Sequence, residues 1–374
     1  MSDRSPAAAS NAFPDPRPRG LLDSFPSLPV LPLSALILPA LLTACIGGSA
    51  RERPTATDTP PAALAEFERL TPGEWRLTLQ SGSLVVERWT WGPGKHSIRE
   101  LTVGFDGDGN PWRSLGVTYL DPASGEIRTL GLSPDIPALG RSVSEGVTRF
   151  EGSVAITDTT MHQPGHVGSA TRVLRSTRRF DGADRYRSRL DESTRGGPYE
   201  MLGEWTYHRS LERFPAPPLP PEELRPTGDF APLAPLLATD WIHEGSTDAE
   251  RTRTTVEWVP LVAAMLIRTT ALPSPDEKSP TTAPPLLEAL LYRHVGHDRN
   301  AALVTAANGE VWKGSWQAKE PGTLELELRD GRGRPWTVRI AREEGALRER
   351  VWRGAGDDRS LVRDLLHRAA ARGD

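Results

Sequence analysis

The sequence predicts a mainly β protein with two antiparallel β-barrel domains in tandem. First, 34 Gly and 35 Pro in 374 residues divide the chain into short segments. Second, apolar and polar residues alternate within these segments, with the period of two that a half-buried strand requires. Third, the segments fall into two similar halves of roughly eight each, which is enough to close a sheet and remove its edges.

The charge and the cysteine count argue against some classes of function and of stabilisation. The formal net charge is −4, and 45 basic and 49 acidic residues are mixed along the chain. Such a surface argues against nucleic acid as a partner, because nucleic-acid binding needs a basic patch. The chain contains a single Cys, so no intramolecular disulfide can form. Burial and backbone pairing must therefore hold the fold together.

Residues 1–44 predict a signal peptide for export. Within them, residues 28–44 carry no charge, but the run is shorter than the ~20 apolar residues that a membrane-spanning helix needs. Arg17 and Arg19 precede the run and supply the positive flank of an export signal.

The sequence Leu42-Thr43-Ala44-Cys45 ends this run and resembles the bacterial lipobox. In that family the Cys becomes the first residue of the mature chain and carries acyl groups. The resemblance implies a lipoprotein of the cell envelope whose partner is the membrane. Several acyl chains on one Cys anchor firmly, at about 0.8 kcal/mol per buried CH₂. Because Ile46 follows the Cys, the resemblance also implies the outer membrane, facing the periplasm, if the source has two membranes.

Behind the anchor, residues 45–61 are small, polar and Pro-rich, and predict a flexible tether. Residues 62–213 form the predicted first β domain, and residues 214–229 a Pro-rich linker. Residues 230–356 form the predicted second β domain. Residues 357–374 predict a C-terminal helix, with two Asp at its start and Arg near its end. Its apolar face would consist of Leu361, Val362, Leu365, Leu366 and Ala369.

Alternation and turn residues define the strands. Leu324, Leu326 and Leu328 alternate with glutamates, so one face of that strand is apolar. Turns such as Asn308-Gly309 and Asp330-Gly331 separate the segments. The other predicted strands include Leu84–Trp91, Leu115–Leu120, Arg172–Thr177, Trp336–Ile340 and Leu347–Trp352.

The two halves have matching positions in the same order, which predicts an internal duplication. Leu70-x4-Trp75 in the first half corresponds to Leu236-x4-Trp241 in the second. The further matches are Glu87-Arg88-Trp89 with Glu257-Trp258, Ile98-Arg99 with Ile267-Arg268, Phe150–Ser153 with Trp312–Ser315, Asp181-Gly182 with Asp330-Gly331, and Trp205 with Trp352.

Gly73-Glu74-Trp75, at the start of the first predicted strand, resembles the G-x-W that opens a lipocalin-type barrel. In that family the Trp closes one end of the barrel. The second half has Thr239-Asp240-Trp241 at the matching place and lacks the Gly. As a whole the chain is similar to uncharacterised bacterial calycin-like domains, which implies the architecture and leaves the activity open.

The recurring tryptophans suggest a candidate site. They either plug the barrels or line an apolar cavity, and a barrel of eight strands leaves room for one small ligand. We therefore expect non-catalytic binding or carriage of an apolar small molecule or lipid. The residues of the candidate ligand cavity are Trp75, Trp89, Arg99, Trp241, Trp258 and Arg268.

Two alternatives remain open. The first is a structural or interaction module of the cell envelope with filled barrels. The second is a metal-dependent enzyme that uses His162-x3-His166 or His294-x2-His297. Both His pairs lie in polar, turn-rich sequence typical of solvated loops, so neither a metal nor another cofactor is expected. The sequence has no G-x-S-x-G and no Cys besides the predicted anchor, and no catalytic residue is predicted.

Overall fold

The structure is a computed structural model. The predicted signal peptide, Cys45 with the predicted lipobox residues before it, and His166 lie outside the residues that it describes. It describes residues 59–71, 73–80, 82–105, 109–134, 141–164, 172–194, 196–214, 218–237, 239–245, 250–272 and 285–370.

Within these residues, the first half of the chain forms a closed antiparallel barrel of ten strands. Each strand pairs with the next along the chain, and the first strand also pairs with the tenth. The strands are β1 (Gly73–Thr78), β2 (Leu84–Trp91), β3 (Ser97–Phe105), β4 (Pro111–Leu120), β5 (Ile127–Ser133), β6 (Ser142–Glu151), β7 (Val154–His162), β8 (Arg172–Phe180), β9 (Arg185–Thr194) and β10 (Glu200–Ser210).

The second half forms a second closed barrel with the same up-and-down order of ten described strands. The prediction of a mainly β fold with two tandem barrels is confirmed, and a closed sheet has no unpaired edge to protect. The strands are β11 (Asp240–His243), β12 (Thr252–Val259), β13 (Ala264–Ala271), β14 (Pro285–His294), β15 (Arg299–Ala306), β16 (Val311–Glu320), β17 (Thr323–Asp330), β18 (Pro335–Glu343), β19 (Ala346–Arg353) and β20 (Ser360–Ala370).

A short 3-10 helix precedes each barrel, at Ala62–Arg69 and at Gly228–Leu236. In both barrels the first buried Trp donates its indole N–H to the end of this helix. The distance is 3.0 Å from Trp75 Nε1 to Leu70 O and 3.2 Å from Trp241 Nε1 to Leu236 O. The matched Leu-x4-Trp motifs are therefore structurally equivalent. No helix in the described ranges is long and apolar enough to cross a membrane.

The other sequence matches between the halves do not superimpose. Trp75 pairs with Glu87, whereas Trp241 pairs with Thr254, so Trp89 corresponds to Val256. The predicted match of Trp89 with Trp258 was two residues out of register. Phe150 lies near the end of β6, whereas Trp312 lies near the start of the equivalent strand β16. The two later matches, Asp181-Gly182 with Asp330-Gly331 and Trp205 with Trp352, belong to strands or turns that are not equivalent in the two barrels. Topology, rather than these later motifs, relates the two barrels.

The prediction of a C-terminal helix was wrong, because this segment forms strand β20. It pairs with β19 on one side and with β11 on the other, and so closes the second barrel. Three residues of the predicted apolar helix face, Leu361, Val362 and Leu366, are instead exposed on the outside of the barrel. As a strand, this segment forms hydrogen bonds with the edges of both β11 and β19. These bonds favour the strand over the helix that its apolar spacing indicates.

A third apolar core lies between the barrels. Outward-facing residues of β4, β5 and β6 pack against outward-facing residues of β12 to β16. Strands β14 and β15 are therefore buried on both faces, with Leu291 in the core of the second barrel and Leu290 in the core between the barrels. The two barrels belong to one compact unit.

Candidate functional site between the two barrels

The two predicted cavity arginines meet outside the barrels, at a single buried carboxylate. Arg99 of the first barrel donates from Nη1 to Glu288 Oε2 of the second at 2.6 Å. Arg268 donates from Nε to the same oxygen at 3.1 Å, and its Nη1 lies 3.3 Å from Glu257 Oε2. Glu288 is 5% exposed. These residues form a polar contact between the barrels.

The four predicted cavity tryptophans lie in the barrel cores. Trp75 and Trp89 share the core of the first barrel, and Trp241 belongs to the core of the second. Trp258 packs against that second core and donates its indole N–H to Glu223 O at 2.9 Å. The structure therefore brings the tryptophans together in pairs, one pair per barrel, and separates both pairs from the two arginines.

A cation lies over the first Trp of the first barrel. The Arg209 guanidinium of β10 lies 4.5 Å from the ring centroid of Trp75 and donates from Nε to Ala183 O at 3.0 Å. In the second barrel, Ala369 pairs with Trp241 where Arg209 pairs with Trp75. Among the described residues, a cation thus lies over the first Trp in the first barrel and not in the second.

A charged group lies within the first barrel, beside Trp89. The Arg178 guanidinium lies 5.0 Å from the Trp89 ring centroid and donates to both carboxylate oxygens of Glu100, at 3.2 and 3.3 Å. Glu87 accepts hydrogen bonds from Trp89 and from the Tyr186 hydroxyl. Burial raises the pKa of Glu100 to about 7, although Arg178 opposes the shift.

A cleft of about 790 Å³ between the barrels combines polar and apolar walls. Tyr119 and Tyr292 line it from opposite barrels, beside Leu130 and Leu303. Its charged lining residues among the described positions are Arg128, Glu145, Arg299, Lys313, Glu327 and Arg329. Four of these side chains are cations and two are acids, so the cleft favours an anionic ligand.

Lys313 reaches across the cleft from the second barrel. Its Nζ lies 2.8 Å from Asp121 Oδ2 and 5.1 Å from the ring centroid of Tyr119, both in the first barrel. Burial by itself lowers the pKa of Lys313, but Tyr119 and Asp121 outweigh it and raise that pKa. Lys313 therefore stays charged and helps to fix the width of the cleft.

Arg299 is the cation of the cleft whose guanidinium can form hydrogen bonds with a ligand. Its side chain is exposed, and within the described residues it forms no ion pair. By contrast, Arg128 pairs with Glu126 at 2.5 Å, and Arg329 donates to Gly333 O at 3.0 Å. A carboxylate or phosphate entering the cleft would find an uncommitted guanidinium at Arg299.

The sequence did not predict this cleft, because its lining comes from outward-facing strand positions of two separate barrels. One signal was present: β14 and β15 read as nearly continuous apolar runs, Leu286–Tyr292 and Ala301–Ala306, interrupted only by Glu288 and Thr305. An alternating strand has one wet face, whereas a continuous apolar run indicates burial on both faces.

Neither a protein-family profile nor a curated protein matches the sequence. Among solved structures, the chain is similar to that of a candidate AttH from Nitrosomonas europaea. The identity is 9%, and the alignment covers 79% of this chain and 89% of the other, with a TM-score of 0.12. A similarity at that TM-score carries no argument about fold or function.

Proposed function

We propose that the protein binds or carries an amphiphilic small molecule, such as a lipid with an anionic headgroup, in the cleft between its barrels. The observation that carries this proposal is the cleft of about 790 Å³ with aromatic and aliphatic walls and a surplus of cations. Its volume falls within the range of about 300–1,000 Å³ that small-molecule sites occupy.

The chemistry of the lining supports one orientation of the ligand. Leu130, Leu303 and the two tyrosines provide apolar and aromatic surface for an acyl chain or ring system. Arg299 provides charge-assisted hydrogen bonds for a carboxylate or phosphate. Binding here is non-catalytic; Trp336 is among the lining residues of the cleft, whereas the four predicted cavity tryptophans are not.

Two measurements test the proposal. Organic extraction of the purified full chain followed by mass spectrometry should release a stoichiometric amphiphile. A fluorescent fatty acid, dansyl-undecanoic acid, should bind the folded protein after its bound lipid has been removed. Arg299→Glu should weaken that binding by about tenfold or more, because a hydrogen bond to a charged group contributes about 1.5–3 kcal/mol.

Arg187→Glu is the matched control, because Arg187 is an exposed arginine on β9 and does not line the cleft. It should leave the affinity for the fatty acid unchanged. Equal affinity in the Arg299 and Arg187 variants would reject the cleft as the site. Absence of any bound or extractable amphiphile would favour the interaction module with filled barrels.

We also propose that the chain is anchored to a membrane of the cell envelope through acylated Cys45, which would place the cleft near lipid. The lipobox resemblance supports this anchor. Mass spectrometry of the N-terminal peptide from membrane fractions should show an acylated Cys45. Cys45→Ser should move the protein to the soluble fraction, and unchanged membrane association of that variant would reject the anchor.

A further inference from the structure

Three histidines from separate parts of the sequence meet where the two barrels touch. His162 is the last residue of β7 in the first barrel. His294 is the last residue of β14 in the second barrel, and His297 lies in the turn that follows. One ring nitrogen from each lies within 4.8 Å of the others. The sequence placed these residues in two unrelated loop pairs, His162 with His166 and His294 with His297.

A carboxylate completes the group. Glu145 Oε2, on β6 of the first barrel, lies 3.5 Å from His294 Nε2 and 3.8 Å from His162 Nε2. Three imidazoles and one carboxylate are a donor set that zinc binds in proteins. Two of these donors come from each barrel, so any ion held here bridges the two barrels.

One nitrogen of the group is buried without a hydrogen bond to any described residue, and Glu145 Oε2 lies 3.5 Å from it. His294 is 1% exposed, and its Nε2 forms no hydrogen bond within the described residues. A buried polar atom left without a hydrogen bond costs about 1–3 kcal/mol, so such an atom requires an explanation. A metal ion that accepts the Nε2 lone pair provides one.

The other nitrogen of His294 accepts a hydrogen bond, which places the proton of the neutral ring on Nε2. His294 Nδ1 accepts a long hydrogen bond of 3.3 Å from the His297 backbone N–H. The same N–H also donates to His294 O at 3.2 Å. Zinc at Nε2 would therefore displace that proton to Nδ1, so that the His297 N–H loses its bond to Nδ1 and keeps its carbonyl partner.

The turn that carries His297 is fitted closely against His162. At Gly296 a Cβ atom would lie 2.6 Å from His162 Cβ, which is closer than two carbon atoms can approach. Glycine at this position therefore allows the turn of the second barrel to reach the end of β7 in the first.

We propose that His162, His294, His297 and Glu145 form a binding site for a single Zn²⁺ ion that ties the two barrels together. Two nitrogens bound to one tetrahedral zinc lie about 3.3 Å apart, given Zn–N bonds of about 2.0–2.1 Å. The three histidine nitrogens lie within 4.8 Å of one another, which is at most about 1.5 Å further apart than that. Rotation of the exposed His297 ring and of the half-exposed Glu145 side chain covers this difference.

Titration calorimetry of the metal-stripped full chain with ZnCl₂ tests the site. A Cys45→Ser background removes the only thiol, so that zinc binding reports on the histidines. We expect one Zn²⁺ per chain, and no binding of Mg²⁺ at the same concentration because imidazole suits zinc and not magnesium. Zinc should also raise the melting temperature of the chain.

His297→Ala and His162→Ala are the informative variants, because the first side chain is exposed and the second half-buried, so both variants should fold. Each should weaken zinc binding by more than the roughly 10–100-fold that loss of an outer-shell partner costs. His208→Ala, an exposed histidine on β10, is the matched control and should change nothing. Absence of stoichiometric zinc, or equal affinity in all three variants, would overturn the proposal.

Discussion

At the scale of single residues, charge placed inside a barrel is the feature with the clearest consequences. The Glu100 carboxylate pairs with Arg178 beside Trp89, and Glu87 lies close enough for both acids to raise the pKa of Arg178 against the opposing effect of burial. Two acids and one base share this small space, so Glu100 ionises only with difficulty. This arrangement makes the stability of the first barrel depend on pH.

We predict that Glu100→Gln flattens this dependence. The pKa of Glu100 is raised to about 7 in the folded chain, so the folded state binds the proton more tightly than the unfolded state. The stability that protonated Glu100 contributes is present below its unfolded pKa and is lost as the pH rises through about 7. Between about pH 5 and about pH 8 the wild-type chain should lose roughly 2 kcal/mol relative to the variant.

Urea denaturation of both chains at several pH values gives this difference directly. The difference between the free energies of unfolding of the two chains does not contain the contributions of other acids, such as Asp158 and Asp364, because both chains have them. The pKa of each of these acids is lowered. Parallel stability curves over this pH range would contradict the prediction.

At the scale of single elements, β20 shows how closure decides the secondary structure. Its apolar residues have helical spacing, yet the segment has β11 and β19 as neighbours and pairs with both. Buried His367 faces inwards on this strand and lies 3.6 Å from Glu349 of β19, while Leu361 and Leu366 are exposed. A helix could not supply hydrogen bonds to two open strand edges.

We predict that Arg368→Pro unfolds the second barrel, whereas Arg368→Thr is tolerated. The Arg368 side chain is exposed, but its backbone pairs with Ala346 of β19 and with Ile242 of β11. Proline removes the backbone N–H and is excluded from a strand paired on both sides. Threonine keeps the N–H and favours strands, so its effect should stay within about 0.5 kcal/mol. Circular dichroism spectra of both variants measure their strand content, and thermal melts measure their stability.

If this segment were helical, the threonine variant would be destabilised by its lower helix propensity and the proline variant by helix interruption. A clear loss of stability in the threonine variant, or tolerance of the proline variant, would therefore contradict the strand.

At the scale of the whole molecule, the core between the barrels makes them one body. Leu290 is 2% exposed, and together with Leu266 and Leu303 it faces the strands of the first barrel. The Arg99–Glu288 pair and the Lys313–Asp121 pair cross the same interface. The interface therefore has an apolar centre with ion pairs around it, as stable protein interfaces have.

We predict that the wild-type chain unfolds in one calorimetric transition and that Leu290→Glu separates it into two. A glutamate here would bury a charge without a partner in the core between the barrels, which is costly. Each barrel keeps its own core, so both should still fold. Leu290→Met preserves the volume and should retain the single transition at a cost below about 1.5 kcal/mol. Two transitions already in the wild-type chain would contradict the coupling.

Sequence reasoning predicted the parts of the fold that local periodicity encodes. The predicted strand Leu84–Trp91 has the observed bounds of β2, and Leu324, Leu326 and Leu328 are buried as their alternation indicates. The Leu-x4-Trp motif identified the equivalent starts of both barrels, because the Trp and the Leu carbonyl that it binds are close in sequence.

The candidate site could not be predicted from local periodicity, because its residues are close in space and distant in the sequence. Arg99 could not be assigned to Glu288 across 189 positions, nor His162 to His294, until the packing of the two barrels was known. The sequence by itself determined that this chain forms strands in two barrels, and it located several of those strands, β2 with its observed bounds. The tertiary structure alone decided which outward faces meet, since that depends on the relative placement of two closed sheets rather than on any local pattern.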